Sequence, residues 1–140
     1  MLLQVAIDKP ESLGVITEVR GIADIIEIGT PLLKRFGIGA VATARELCPD
    51  TPLLADTKTV DAGDRSTKHI DADSEIRRRG FRVALAGGLG PETLDAVLEA
   101  EPEIVIVGAA ITGASDPRRV AKWIKDRLRN PGRGWPSDAR

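Results

Sequence analysis

The chain has 140 residues, 42% of them hydrophobic and 29% charged, with a formal net charge of -1. That balance suits one globular domain with a real core, and it gives no general attraction to nucleic acid or to an anionic membrane surface. The lone cysteine, Cys48, excludes an internal disulfide, no apolar run approaches the roughly 20 residues of a membrane span, and Met1–Ile7 lacks a signal-peptide pattern, so a cytoplasmic protein is expected.

Strand and helix signals alternate along the chain. Leu2–Ile7 is a short apolar run closed by Asp8-Lys9-Pro10, and Pro10 suits the first turn of a helix carrying Leu13, Ile16 and Val19. Ile25–Ile28 is a second strand, interrupted by Glu27. Thr30 and Pro31 read as N-cap and first residue of one longer helix, with Leu33, Ala40, Val41, Ala44 and Leu47 at helical spacing. Pro52–Ala55 is the third strand. Asp64–Arg79 then breaks the rhythm: it is dense in charge, and a partly exposed helix is expected from Asp73 to Arg79. Phe81–Ala86 is the fourth strand, and Gly90-Pro91 opens a helix with Leu94, Val97 and Leu98. Glu103–Val107 is the fifth. Ser115-Asp116-Pro117 opens the last helix, where Val120, Ile124 and Leu128 form one stripe. Apolar strands buried on both faces and alternating with helices predict parallel βα units, here in a single domain over residues 1–130 with an irregular tail over 131–140.

The residues that carry chemistry cluster at strand ends. Asp56, Lys58 and Asp61 form an Asp-x-Lys-x-x-Asp array after the third strand. Read plainly, it is a solvated salt-bridge network. Read as a site, it holds a lysine between two carboxylates, able to stabilise an oxyanion or move a proton, with oxygen ligands that favour a hard metal such as Mg²⁺. Glu27, in an aliphatic strand, needs either a cation such as Lys58 or a metal to offset its burial. Asp8 is either a loop acid capping the Pro10 helix or a site acid at a strand end. Gly87-Gly88 and Gly108-Ala109-Ala110 are ordinary βα-turn residues or amide-rich phosphate loops. His69 has no motif around it and reads as a solvated surface residue, and Cys48 reads as structural.

Four segments in order resemble the 3-hexulose-6-phosphate synthase family, within the orotidine 5'-phosphate decarboxylase suprafamily of (β/α)₈ barrels. They are Ile25-Ile26-Glu27-Ile28-Gly29-Thr30-Pro31, Leu54-Ala55-Asp56 through Gly63, Ala84-Leu85-Ala86-Gly87-Gly88, and Ile104 through Gly113. The Glu-Ile-Gly-Thr-Pro and Asp-Ala-Gly extensions point to the synthase branch. The resemblance covers residues 1–63 and 76–128, and the segment that carries the family's middle strands, with its histidine and acid, is absent. It implies an α/β fold: a truncated TIM-barrel-like parallel sheet of about five βα units, shorter than the roughly 250 residues of a whole barrel.

The implied activity is that of an aldehyde-lyase, an aldol condensation of ribulose 5-phosphate with formaldehyde through an enediolate, with Mg²⁺ as cofactor. By the same resemblance Glu27 and Asp56 hold the metal, and Lys58 stabilises the enediolate or shuttles the proton. Asp61 orients Lys58, from its own or a partner subunit, and Asp8 meets substrate hydroxyls. The amides near Gly87, Gly88, Gly108 and Ala109 take the phosphate. The small-molecule partners are thus a sugar phosphate and formaldehyde, with no nucleic acid or membrane. A homodimer is expected, because loss of the middle strands leaves sheet edges and bares Leu53, Val83 and Leu85. A sugar-phosphate-binding remnant, an internally deleted product, and a decarboxylase acting on orotidine 5'-phosphate or 3-keto-gulonate 6-phosphate stand as alternatives.

Overall fold

The structure is a computed structural model and describes residues 1–57, 84–90 and 93–130. Five strands lie in one parallel sheet: β1 (Leu2–Ile7), β2 (Ile25–Ile28), β3 (Leu53–Ala55), β4 (Ala84–Ala86) and β5 (Ile104–Val107). Their order is β3-β2-β1-β5-β4, so the first strand sits at the centre between the second and the last. A contiguous arc of a (β/α)₈ barrel has this order, since closing such a barrel sets its first strand beside its last. A single helical turn (Pro10–Ser12) and the helices α1 (Val15–Val19), α2 (Thr30–Phe36), α3 (Ile38–Leu47), α4 (Leu94–Ala100), α5 (Ala109–Thr112) and α6 (Pro117–Arg129) connect and flank them. Among the described residues no helix is long and apolar enough to cross a membrane.

The register divides the sheet into two unlike faces. Pairing of Val5 with Ile26 and Val107, and of Ile28 with Ala55, sets Leu3, Val5, Ile7, Ile26, Ile28, Val105 and Val107 on one side. All seven are buried, and they pack with Ile16, Val19, Leu32, Ala44, Val120, Ile124 and Leu128 of the helices. Side chains at the alternate positions point the other way. There Gln4, Ala6 and Glu27 are buried, but Leu2 and Leu54 are 38% and 41% exposed. The expectation of strands buried on both faces therefore holds for the central β1 and β2 and fails at the edge strands β3 and β4, which are partly exposed. Leu53 and Leu85 are partly bared as expected, each half-buried against the helical core, and Leu54, one residue on from Leu53, is barer still on the open side. Val83 is outside the described residues.

The predicted long helix from Thr30 is two helices. Gly37 adopts φ +58°, a left-handed conformation that a helix interior does not accommodate, and it serves as C-cap of α2 and N-cap of α3. The N-cap of α2 is Gly29, and the Thr30 hydroxyl instead donates to the carbonyl of Asp56 at 2.7 Å. The end of α3 is tied down by Arg45, whose Nη1 donates to the carbonyls of Pro49 and Thr51 at 2.8 and 3.0 Å. Beside it Cys48 is fully buried, with Sγ 3.1 Å from the Ala44 carbonyl, and burial pushes its thiol pKa up. The structural reading of Cys48 stands. In α6, Asp116 caps the helix by accepting from the Arg119 amide at 2.9 Å, and Val120, Ile124 and Leu128 are buried as their spacing predicts. Ion pairs join the buried Lys125 of α6 to Asp24 before β2, and the buried Arg127 to Asp95 of α4. The helix expected over 73–79, His69 and the tail over 131–140 lie outside the described residues.

Candidate functional site

A pocket of about 330 Å³ opens at the C-terminal ends of the strands. Every strand contributes to it directly or through the residue that follows. Ala6 and Asp8 come from β1, Glu27 from β2, Asp56 from beyond β3, Ala86, Gly87 and Gly88 from β4, and Ile106, Gly108 and Ala109 from β5. Ligand sites in parallel α/β sheets gather at this end because the βα turns and helix N-termini converge there.

The strand register explains why these residues meet. Ala6 pairs with Glu27, and Glu27 with Leu54; past the Ile7, Ile28 and Ala55 row, two residues on, Asp8, Gly29 and Asp56 form the next row on the same face. The Asp56 amide donates to the Ile28 carbonyl at 3.0 Å and the Gly29 amide to the Ile7 carbonyl at 2.9 Å, so the ladder continues to that row. Adjacent strands are about 4.8 Å apart, so Asp8 and Asp56 stand in the rim row on either side of β2, with Glu27 two residues lower on β2 between them.

Glu27 is 8% exposed and accepts a hydrogen bond from Gln4 Nε2 at 2.6 Å through Oε2; Gln4 itself is 2% exposed. A carboxylate buried to this degree needs such a donor. Asp8 is exposed and lies against Gly29, where a Cβ would come within 1.9 Å of Asp8 Oδ1. The third residue of the Glu-Ile-Gly-Thr-Pro motif is thus a glycine because the Asp8 carboxylate occupies the space a side chain would take. Asp56 is half-buried, and its backbone is fixed by the Ile28 carbonyl on one side and the Thr30 hydroxyl on the other.

The opposite wall is made of small residues. Gly87 and Gly88 have φ of +99° and +61°, both in the region that favours glycine, so the chain after β4 turns sharply and presents bare backbone. Thr93 Oγ1 holds this loop, accepting from the Gly90 amide at 3.0 Å and donating to the Gly88 carbonyl at 3.2 Å. Gly108 is the N-cap of α5, and Ala109 and Ala110 are its first residues, whose amides have no acceptor within their own helix. The chemical capacity is therefore split across the pocket, with hard oxygen ligands on β1–β3 and amide donors on β4–β5.

Of the site residues expected from sequence, Asp8, Glu27, Asp56, Gly87, Gly88, Gly108 and Ala109 line this one pocket. Lys58 and Asp61 lie outside the described residues. Sequence reasoning passed over Gln4, Gly29 as the seat of Asp8, and Thr93. Gln4 was the most visible of them: a polar residue in the middle of an apolar strand raises the same question as Glu27.

A parallel sheet in barrel order, with carboxylates on the first three strand ends and glycine turns on the last two, defines a protein of the (β/α)-barrel class with its pocket at the C-terminal strand ends. The chain belongs to the orotidine 5'-phosphate decarboxylase / HUMPS family, whose model matches residues 1–76. It is similar to the bifunctional enzyme Fae/Hps of Methanosarcina acetivorans, 31% identical over 128 residues that cover 88% of this chain and 31% of the relative. It thus spans about a third of the length of that relative. It is also similar to 3-hexulose-6-phosphate synthase of Bacillus subtilis, 25% identical over an alignment of 207 residues that covers 91% of this chain and 99% of the relative. Among solved structures, a ligand complex of KGPDC from Streptococcus mutans matches with a TM-score of 0.81 at 21% identity, covering 91% of this chain and 97% of that one. A crystal structure of 3-hexulose-6-phosphate synthase matches at 0.73 and 24%, covering 91% and 100%. At these identities the structural matches establish the shared fold.

Proposed function

We propose that the chain is a 3-hexulose-6-phosphate synthase-like aldehyde-lyase that joins ribulose 5-phosphate to formaldehyde with the help of Mg²⁺. One observation carries the reading: Asp8, Glu27 and Asp56 share a single pocket with the Gly87-Gly88 and Gly108-Ala109 turns. The similarity to 3-hexulose-6-phosphate synthases supports it.

The residues present fit the metal. Mg²⁺ commonly takes one or two protein carboxylates and completes its octahedron with water and substrate oxygens. Glu27 and Asp56 supply two, and among the described residues no group of three or more such ligands is gathered. When bound, the cation would lower the charge of the sugar oxygens and so favour loss of a proton beside the carbonyl.

The chain's own side chains do the rest. The amides of Ala109 and of the Gly87-Gly88 turn would hold the phosphate, which sets the sugar's length across the pocket toward Asp8. Asp8, fixed against Gly29, would accept hydrogen bonds from sugar hydroxyls. Gln4 would keep the Glu27 carboxylate oriented by its 2.6 Å hydrogen bond. Lys58 would stabilise the enediolate or carry the proton, with Asp61 orienting it. A homodimer would cover Leu2 and Leu54 on the open face of the sheet.

The test is product formation from ribulose 5-phosphate, formaldehyde and Mg²⁺, with Lys58→Ala and Asp56→Ala as controls. Turnover lost in both variants supports the synthase. Ribulose 5-phosphate binding without turnover would replace it with a sugar-phosphate-binding protein. Turnover that survives Lys58→Ala would remove the assigned chemistry.

A further inference from the structure

A cavity larger than the pocket above lies elsewhere in the described structure. A cleft of about 810 Å³ lies at the opposite, N-terminal edge of the sheet, where the chain enters β2 at Asp24 and β3 at Pro52. Its volume is within the roughly 300–1,000 Å³ of small-molecule sites. One wall is helix α6, which turns Arg118, Lys122, Lys125 and Arg129 toward it. The spacings of four, three and four residues place these cations on one helical stripe, about 16 Å long at 1.5 Å per residue. Arg20, at the end of α1, is a fifth cation in the cleft.

Three carboxylates share the lining, and they do not cancel this charge. Asp24 is already taken: it pairs with the buried Lys125 and accepts from the Leu3 amide at 2.7 Å. Asp50 and Asp126 remain against the other four cations. Arg118 donates to the Glu18 carbonyl at 2.9 Å, which fixes its guanidinium beside α1. Arg20, Lys122 and Arg129 make no ion pair or side-chain hydrogen bond within the described residues. Like charges three or four residues apart on a helix repel one another, so the stripe brings no stability of its own. Beside the cations, Ile22, Ala23 and Pro52 give the cleft an apolar end.

We infer that this cleft is a second ligand site, for an anion carrying two or more phosphate groups. A row of cations spread along a groove matches charge spread along a phosphate chain better than the single charge of a sugar monophosphate. The apolar end formed by Ile22 and Pro52 would take a ring attached to that chain, as in a nucleoside triphosphate. Because the cleft and the carboxylate pocket open at opposite ends of the strands, the two ligands would bind together.

Titration calorimetry of the full chain with tripolyphosphate, ATP and adenosine at low salt tests the inference. Tripolyphosphate and ATP should bind and adenosine should not. Affinity for both anions should fall at least about tenfold in K122E/R129E, given the strength of charge-assisted hydrogen bonds to phosphate. It should be unchanged in the charge-matched control K34E/R35E on α2. If K122E/R129E loses its helical circular dichroism, K122A/R129A replaces it, since alanine keeps the helix. Saturation with ribulose 5-phosphate should leave the tripolyphosphate isotherm intact. Absence of anion binding in the wild type, binding that survives loss of Lys122 and Arg129, or displacement by ribulose 5-phosphate would each overturn the second site.

Discussion

Replacing Gln4 tests how the buried carboxylate is held. Gln4→Leu keeps the side chain's bulk but removes the 2.6 Å donor from a glutamate that is 8% exposed. A hydrogen bond to a charged group is worth about 1.5–3 kcal/mol net. Gln4→Leu should therefore destabilise by roughly 2 kcal/mol, or about 6–10 °C in Tm for a domain of this size. In a Glu27→Gln background the pair is neutral, and the same change should cost only about 1 kcal/mol. Replacing both partners by leucine removes the buried charge altogether, and the double variant should be at least as stable as Gln4→Leu alone. Urea denaturation at neutral pH gives all four corners of the cycle. The sharper expectation is functional: the Leu–Leu variant should fold well and fail to bind Mg²⁺. Equal costs of Gln4→Leu in the two backgrounds would refute an energetic link between Gln4 and Glu27. Full Mg²⁺ binding by the Leu–Leu variant would remove Glu27 from the metal site.

Other substitutions probe the rest of the pocket. Gly29→Ala places a Cβ where Asp8 Oδ1 now sits, so the carboxylate must swing aside, and ribulose 5-phosphate affinity measured by calorimetry should fall about tenfold. Gly87→Val forces a β-branched residue to φ +99°; it should abolish ribulose 5-phosphate binding while the circular dichroism spectrum persists. Asp56→Ala should erase the Mg²⁺ isotherm, and an unchanged isotherm there would place the cation elsewhere. For Cys48, burial raises the thiol pKa above 9.0 against the opposing influence of Arg45 and Arg20. The fold thus favours the protonated thiol, so stability is complete below the ordinary value and falls as pH climbs through the raised one. Cys48→Ala should flatten that alkaline decline in thermal melts.

Much of the fold was legible because hydrophobic period and turn chemistry agreed. The strand at Ile25–Ile28 and the stripe at Val120, Ile124 and Leu128 are patterns in which burial and local propensity point the same way. The long helix after Thr30 was misjudged because its apolar spacing continues across Gly37, and periodicity is blind to a single left-handed residue. Phe36-Gly37-Ile38-Gly39 carried the warning. The site was legible at its acids and glycines, which stand out against apolar strands. It was not legible at Gln4 or at the contact of Gly29 with Asp8, because both depend on which residues of neighbouring strands stand side by side. That register is a tertiary fact.

Register is also what binds the site to the core. Side chains alternate along a strand, so a slip of one residue in β1 would turn Leu3, Val5 and Ile7 outward and Gln4, Ala6 and Asp8 into the helices. Three large apolar side chains would lose their packing, at about 1.5–3 kcal/mol each, and two polar ones would be buried without partners. The same holds for Ile26 and Ile28 flanking Glu27. The apolar residues thus fix the rim row of Asp8, Gly29 and Asp56 without touching its chemistry. Evolution could change the polar face residue by residue while the core held its geometry. Conversely, a core substitution such as Ile28→Ala, one position from Gly29 and paired with Ala55, would shift the rim even though its side chain points away from the pocket.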